Sequence, residues 1–532
     1  MTTASDLSEG QKKRIFWASF LALVTAGFGF SYRVMVLGEW GSEFGLSGQQ
    51  LGQIFGASLW PIAITMILFS LVIDKIGSKN TMYAAFVLQA LSVILTFSAG
   101  SYQALWWAAF CAGLGHGVVE AVINPVCATI YPRRKTTMLT ILHAAWPAGL
   151  VGGGALVLLF GEKLSWNINS LWMAIPLVVY GLMTLGCLFP IDERVHAKVP
   201  YKDMLKEVGF LGAFIASTLL FYEIYRVASG TEPASLIWWS LGAGLAIAGA
   251  FAAYTRTIGK PLFFFLCLLM IPLATTELGT DAWIKELMTP VMGKYAGWAI
   301  VFSAFIMMVL RFLAGPLNTR CSPPTVLVIS SVFSMCGLLM LSGVSGYLII
   351  FAFILYAIGQ TFYWPTVLGF VSERYPRGGA LTLNTVSAIG LLSVGIIGTP
   401  VMGVFVDNSM SRETAKISSD LRAEFQTERS FFGVNYSGVD RNHVLEFAEE
   451  IRAGEGTAPA AASVMVGEVA VTPELLEEAV NQAGRGALRT TALAFPLTMG
   501  ICFALIAIWF RRQGGYSQIH LCEVHESGGS EF

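Results

Sequence analysis

The chain has 532 residues, of which 55% are apolar and only 13% charged, with a mean hydropathy of +0.65. Soluble domains carry roughly 25% charged residues, so the composition excludes an ordinary soluble protein and places the chain in the membrane class. The net charge of −1 decides little, because the charges are segregated along the chain.

Apolar runs of about 20 residues are long enough to cross a bilayer as helices. After a polar N-terminus at 1–13, six such spans are predicted at 14–36, 50–73, 81–99, 103–130, 139–161 and 168–190. A basic linker at 191–207 leads to two more, 208–229 and 235–255, which read as an inserted hairpin over 208–260. Six further spans follow at 261–284, 295–317, 325–343, 346–373, 380–405 and 490–512, before a tail at 513–532. The chain thus divides into bundles at 14–190 and 261–512, the second interrupted by an acidic polar segment at 408–489. The fold class is an all-α polytopic membrane protein of about 14 spans. Within 408–489, Thr472-Pro473-Glu474 reads as a helix start, and the segment reads as a partly helical cover.

Lys and Arg concentrate in alternate loops: Lys75 and Lys79, Arg133 to Lys135, Arg194 to Lys206, Arg256 and Lys260, Arg320, Arg374 and Arg377, and Arg511 and Arg512. The intervening loops hold few beyond Lys163, Lys285 and Lys294. This bias puts both termini in the cytoplasm, and a bacterial inner membrane is the expected location. The first span is too long for a signal-peptide core, so no cleaved leader is expected. Eight cysteines occur without C-x-x-C spacing, which argues against a metal or redox motif. Gly113-Leu-Gly-His-Gly117 lies inside an apolar run with no preceding strand, and no G-x-x-x-x-G-K-[ST] occurs. Neither a cofactor, nor a nucleic-acid partner, nor an enzymatic activity is expected.

The two bundles resemble each other. Trp40-Gly-Ser-Glu43-Phe44 matches Trp283-Ile-Lys-Glu286-Leu287 at an offset of 243 positions. Tyr131-Pro132-Arg133 matches Tyr375-Pro376-Arg377 at 244, and Ser70 to Lys75 matches Gly315 to Arg320 at 245. Such repeats place a substrate site between the halves, near mid-membrane.

Ser70-Leu-Val-Ile-Asp74-Lys75-Ile-Gly77-Ser78-Lys79 resembles the signature G-x-x-x-D-R/K-x-G-R/K-R/K of the major facilitator superfamily. Ser70 and Ser78 depart from it, and Gly315 to Arg320 is a degraded copy with Thr319 at the acidic position. The resemblance implies two six-helix bundles that rock about a central site. It also implies that Asp74 is a conformational latch, with Lys75, Gly77, Lys79, Gly315 and Arg320 around it. Phe30 to Val34 with Arg33 looks like the anion and sugar-phosphate branch. Asn124-Pro125, Leu142-His143 and Glu277 to Trp283 look like the fucose and glucose symporter branch.

His116, Glu120 and Asn124 recur at i, i+4, i+8 and form one polar stripe about 80° wide. Gly113, Gly117 and Ala121 form an adjoining strip of small residues suited to close helix packing. A carboxylate at such depth costs about 2.5–3.5 kcal/mol on insertion scales and usually faces a cavity or a partner. Glu120 is a candidate proton or substrate site, or else a hydrogen-bond lock with His143. The repeat sets Gln360, Tyr363 and Trp364 opposite, a combination suited to a polyhydroxylated ring. For Arg33, binding an anion, pairing with Glu39 and snorkelling to the interface all stand open. Glu277 and Asp281 are candidates for binding a cation or hydroxyls, or for partnering Arg33 as an outer gate. Arg311 reads as an inner latch charge, while His143 and Asn384 are candidates for lining the inner vestibule. The expected function is secondary active transport, by a monomer, of a sugar-like solute or organic anion, coupled to a proton. A membrane sensor using 408–489, or an efflux exporter, is the alternative.

Overall fold

The computed structural model describes all residues except 1–2, 162, 282–292, 294–295, 433, 454–462 and 522–532. The repeat match at Trp283 to Leu287, the basic residues Lys285 and Lys294, and Cys522 lie outside the described residues. Among the described residues, thirteen helices are long and apolar enough to cross a membrane, and Trp298–Phe312 is a shorter apolar helix. The first bundle is α1 (Glu9–Phe44), α2 (Gln50–Ile76), α3 (Ser78–Phe97), α4 (Tyr102–Ile130), α5 (Lys135–Phe160) and α6 (Trp166–Thr184). The inserted pair is α7 (Tyr201–Ser229) and α8 (Leu236–Thr255). The second bundle begins with α9 (Pro261–Gly279), whose last turn continues to Asp281, and α10 (Ala296–Phe312). It goes on through α11 (Pro323–Leu341), α12 (Leu348–Arg374) and α13 (Pro376–Ile417).

Helix ends follow local chemistry. Ser8 caps α1, with Gln11 returning a hydrogen bond to the Ser8 N–H, and Gly45 ends the helix in the left-handed region. At about 54 Å, α1 is longer than a bilayer core. Helix α6 ends at Thr184 rather than 190, because Leu185 turns to extended backbone and Gly186 takes φ 72°.

The 408–489 segment is a folded unit. Helix α13 runs on to Ile417 and is followed by α14 (Ser419–Phe425), β1 (Gln426–Phe431) and β2 (Val434–Val439). Then come α15 (Arg441–Ala453), β3 (Val464–Val466), β4 (Val469–Val471) and α16, the last membrane helix, which spans Pro473–Arg512. The strands make two antiparallel hairpins, Gln426 opposite Val439 and Val464 opposite Val471. They were not foreseen, since runs of three to six residues carry little alternation. Thr472 does cap α16, accepting from the Leu475 N–H, so this helix begins 17 residues before its apolar stretch. The unit shares one hydrophobic cluster with Met402, Val406 and Met410 of α13, and Phe432 packs edge-on against Tyr222 of the inserted pair.

Two glycines need their lack of a side chain. At Gly209, φ is 58° and the backbone lies against Gly259, letting Leu211 N–H donate to Ile258 at 3.0 Å. At Gly117, a Cβ would fall 1.9 Å from Thr65 Oγ1 and 2.3 Å from the Ile62 carbonyl of α2. The small-residue strip on α4 is therefore a tight seam with α2. Overpacking of this kind costs about 1–3 kcal/mol. Gly117→Ala should lower the melting temperature of the purified protein, and an unchanged melt would contradict the seam.

Candidate functional site

In the first bundle the polar stripe of α4 is tied together. Asn124 Nδ2 donates to Glu120 Oε2 at 2.7 Å, and Asn124 Oδ1 sits 2.9 Å from His143 Nε2 of α5. With the amide donating to the carboxylate, its oxygen is left to accept from His143. His116 Nε2 lies 3.7 Å from Glu120 Oε1. Glu120 thus accepts from Asn124 on Oε2, has His116 at longer range beside Oε1, and reaches His143 through Asn124. The His116 ring stacks on Trp146 at 5.1 Å, and Phe30 lies 5.3 Å from Trp146 and 5.4 Å from Phe55. These rings are half-buried.

In the second bundle, Glu277 lies in a π-helical turn, Thr275–Gly279, that packs against a second π-turn, Val394–Gly398, on α13. Such turns recur at functional sites. Arg311, expected as an inner latch charge, is fully buried and joins the two bundles. Its Nη2 donates to Glu277 Oε1 at 2.9 Å, its Nε to the Thr361 carbonyl at 2.7 Å, and its Nη1 to the His143 carbonyl at 2.8 Å. A carboxylate as buried as Glu277 requires such a partner. Glu277 accordingly pairs with Arg311 and not with Arg33. The His143 contact crosses from one bundle to the other.

The aromatic and amide residues expected opposite Glu120 are buried in the second bundle. Gln360 donates to Ser303 at 2.6 Å and is fully buried, as is Tyr363, while Trp364 is 8% exposed and packs against Gly390. Asn384 does not line an open vestibule either. It donates to Ser70 Oγ at 2.7 Å and to the Ala121 carbonyl at 3.2 Å, bridging α13 to α2 and α4. Ser70, where the signature has glycine, supplies an oxygen for that bridge.

Arg33 is 6% exposed, so it does not snorkel. Among the described residues it makes no ion pair, with Glu39 or any other acid, and its Nε has no hydrogen-bond partner. It lines a small cavity with Gly29, Phe30, Ser58, Gln89 and His116. Asp281 is partly buried, with Tyr356 Oη 3.4 Å from its Oδ1.

The end of the molecule that carries both termini is closed. Lys135 Nζ contacts Glu193 Oε2 at 2.6 Å and the Ser372 carbonyl at 3.3 Å, Thr136 donates to Glu373, and Asn318 donates to Thr140 at 3.2 Å. The tail adds Tyr516 to Glu373 at 2.7 Å and Gln518 to the Pro132 carbonyl at 2.7 Å. Asp74 is bound by Arg194 of the linker. Of the other signature residues, Gly77 turns the chain at φ 84°, Lys79 lies over Tyr83, and Lys75 and Arg320 are exposed. Gly315 starts a short helix, Gly315–Arg320. Lys135, Thr136, Glu193 and Glu373 escaped the sequence reading; acids placed among basic loop residues were the available signal.

Burial, reinforced by the charge of Asp74, pushes the Asp192 carboxyl up to about 6, against the pull of Arg194. A carboxyl raised in the folded protein contributes stability that is present below about pH 4 and is lost as pH rises through about 6. Asp192→Asn should flatten this dependence. Melting temperatures measured between pH 4 and pH 7 check it, and a pH profile unchanged from the wild type would contradict it. For the ion pair, Glu277→Gln strands a buried guanidinium, a change worth about 3–5 kcal/mol. The double variant Glu277→Gln/Arg311→Met should recover much of the lost melting temperature. A double variant no better than the single would oppose a paired role.

Residues 19–284 match the family model of the Major Facilitator Superfamily. A gentisate transporter of Corynebacterium glutamicum is 25% identical over 230 residues, covering 42% of this chain and 51% of that protein. The match thus spans about half the length of this curated relative. Among solved structures, the proton:xylose symporter from E. coli superposes with a TM-score of 0.56 at 12% identity, covering 75% of this chain and 90% of that one. The E. coli fucose:proton symporter gives 0.53 at 15% identity, over 74% and 91%. A human organic anion transporter gives 0.53 at 14% identity, over 74% and 93%. At these identities the solved structures show the fold alone. With half of its length matching the family and the duplicated bundles in place, the chain belongs to the Major Facilitator Superfamily.

Proposed function

We propose that this protein is a secondary active transporter that moves a small organic anion, specifically an aromatic carboxylate, together with a proton by alternating access. The observation that carries this reading is Arg33, a buried guanidinium with no carboxylate partner among the described residues. An unpaired charge in a low-dielectric interior is costly, and a planar guanidinium matches a carboxylate with two parallel hydrogen bonds. The rings of Phe30 and His116, which line the same cavity and pack on Trp146, suit a flat substrate. The gentisate transporter relative supports the same class. A sugar-like solute has less support, because Gln360 and Tyr363 are held inside the second bundle.

The closed termini-bearing end supports a state open, when it opens, to the opposite side. Loop charge bias places that closed end in the cytoplasm. The Asp74–Arg194 contact and the Asn384–Ser70 bridge are then part of the inner latch, to be broken in the inward-facing state. The folded 408–489 unit, packed on α13, serves as an outer cover that moves with the second bundle.

Proteoliposomes with an inward proton gradient should accumulate labelled gentisate. Arg33→Gln should abolish accumulation while leaving the melting temperature of the ligand-free protein near that of the wild type. Accumulation by Arg33→Gln at the wild-type rate would refute the anion site.

A further inference from the structure

We infer that the tip of the β1–β2 hairpin, carried by Phe431, Phe432 and Val434, docks into the headgroup boundary of the outer leaflet and anchors the outer unit to the bilayer beside the inserted pair. The inference does not depend on what binds at Arg33.

The tip departs from the chemistry of a hairpin that turns in water. Tight turns between antiparallel strands favour Asn, Asp and Gly, which tolerate a positive φ. Here Phe432 takes φ 50°, a conformation that a bulky residue adopts only at a cost. The closing pair of the ladder is Phe431 opposite Val434, and Val434 is 69% exposed. The Phe431 and Phe432 ring centroids are 4.3 Å apart, so the two rings lie together. Behind the tip the paired residues all carry polar groups: Ser430 opposite Asn435, Arg429 opposite Tyr436, and Glu428 opposite Ser437. Arg429 is itself neutralised, with Nη1 2.9 Å from Asp407 Oδ2. An apolar tip on a polar stem suits the boundary between water and hydrocarbon.

The inserted pair fixes the depth of that tip. Ser217 Oγ donates to the Gly244 carbonyl at 3.4 Å, and a Cβ on Gly244 would fall 2.0 Å from Thr218 Oγ1, so α7 and α8 are level there. Four residues onward on α7 and four back on α8 set Tyr222 level with Ser240. Phe432 packs on Tyr222 with centroids 5.5 Å apart. Trp238 and Trp239 lie within about 3 Å of Ser240 along the helix axis, and they are 72% and 70% exposed. Tryptophans collect at the membrane–water boundary, where the ring is apolar and the N–H stays wet. The hairpin tip is therefore held at the level of that Trp pair. Because α7 leaves from the linker at the termini-bearing end, its Tyr222 half lies at the opposite, outer end. Phe221, Ile224 and Tyr225 of α7 are exposed at the same level, so the tip borders a helix surface that faces lipid. The rest of the unit shares its hydrophobic cluster with α13. The unit is thereby held at two places, on α13 and in the leaflet.

The test is a depth measurement on the full chain in lipid nanodiscs. A nitroxide is attached to Val434→Cys, and separately to Met465→Cys on the β3–β4 hairpin, in protein whose Cys321, Cys336, Cys502 and Cys522 are replaced by serine. Oxygen concentrates in lipid, whereas a nickel chelate stays in water. Oxygen collisions should exceed nickel collisions several-fold at Val434, and the ratio should reverse at Met465. Water-like collisions at both positions would overturn the proposal. So would shielding of Val434 from both reagents with dipolar broadening between nitroxides, the mark of a second copy seated on the tip. In otherwise unaltered protein, Val434→Asp should speed amide exchange of residues 426–439 several-fold in nanodiscs, because a carboxylate there is expelled from the boundary. Exchange at the wild-type rate would overturn the proposal as well. If the serine background does not fold, the exchange measurement decides alone.

Discussion

A charge held inside a bilayer-spanning bundle needs a partner, and the rest of this structure is arranged around that requirement. Arg311 shows it most fully. Its guanidinium joins Glu277, a carbonyl of its own bundle and the carbonyl of His143 in the other bundle. The two halves therefore meet at a buried ion pair, where a Coulomb interaction is only weakly screened. The contact is polar and directional, and it joins the two bundles.

Closure at the termini-bearing end uses the same logic. Thr136 bonds Glu373 and Asn384 bonds Ser70 between the bundles, while Lys135 joins Glu193 of the linker and the Ser372 carbonyl of the second bundle. The linker and the tail both reach across this end, through Glu193 and Gln518. The inserted pair α7–α8 joins the second bundle: α7 packs on α9 and α13 and meets the outer unit at Phe432.

Much of the architecture was legible in the sequence. The span lengths, the six-two-six pattern and the Asp74 signature all rest on apolar run length and loop charge, which are local properties. The small-residue strip at Gly113 and Gly117 was legible for the same reason. Side-chain partners were less so. Arg311 sits near the end of its helix, and its neighbours in sequence suggest a loop charge; only the fold brings Glu277 and His143 to it. The pseudo-repeat pointed to Gln360 and Tyr363 as site residues, and the structure buries both within the second bundle, because equivalent positions in duplicated bundles need not face the same space once their neighbours diverge. The short strands of the outer unit and the π-turns at Thr275 and Val394 carry almost no signal in composition. Arg33 was legible as a cation within a span, but its burial and its separation from Glu39 were matters of geometry.

The most direct measurement is equilibrium binding of labelled gentisate to the purified protein, comparing wild type with Arg33→Gln. Saturable binding by the wild type, lost in the variant while both melt alike without ligand, is the expected result. Equal binding by the two proteins would contradict the assignment of Arg33 as the anion site.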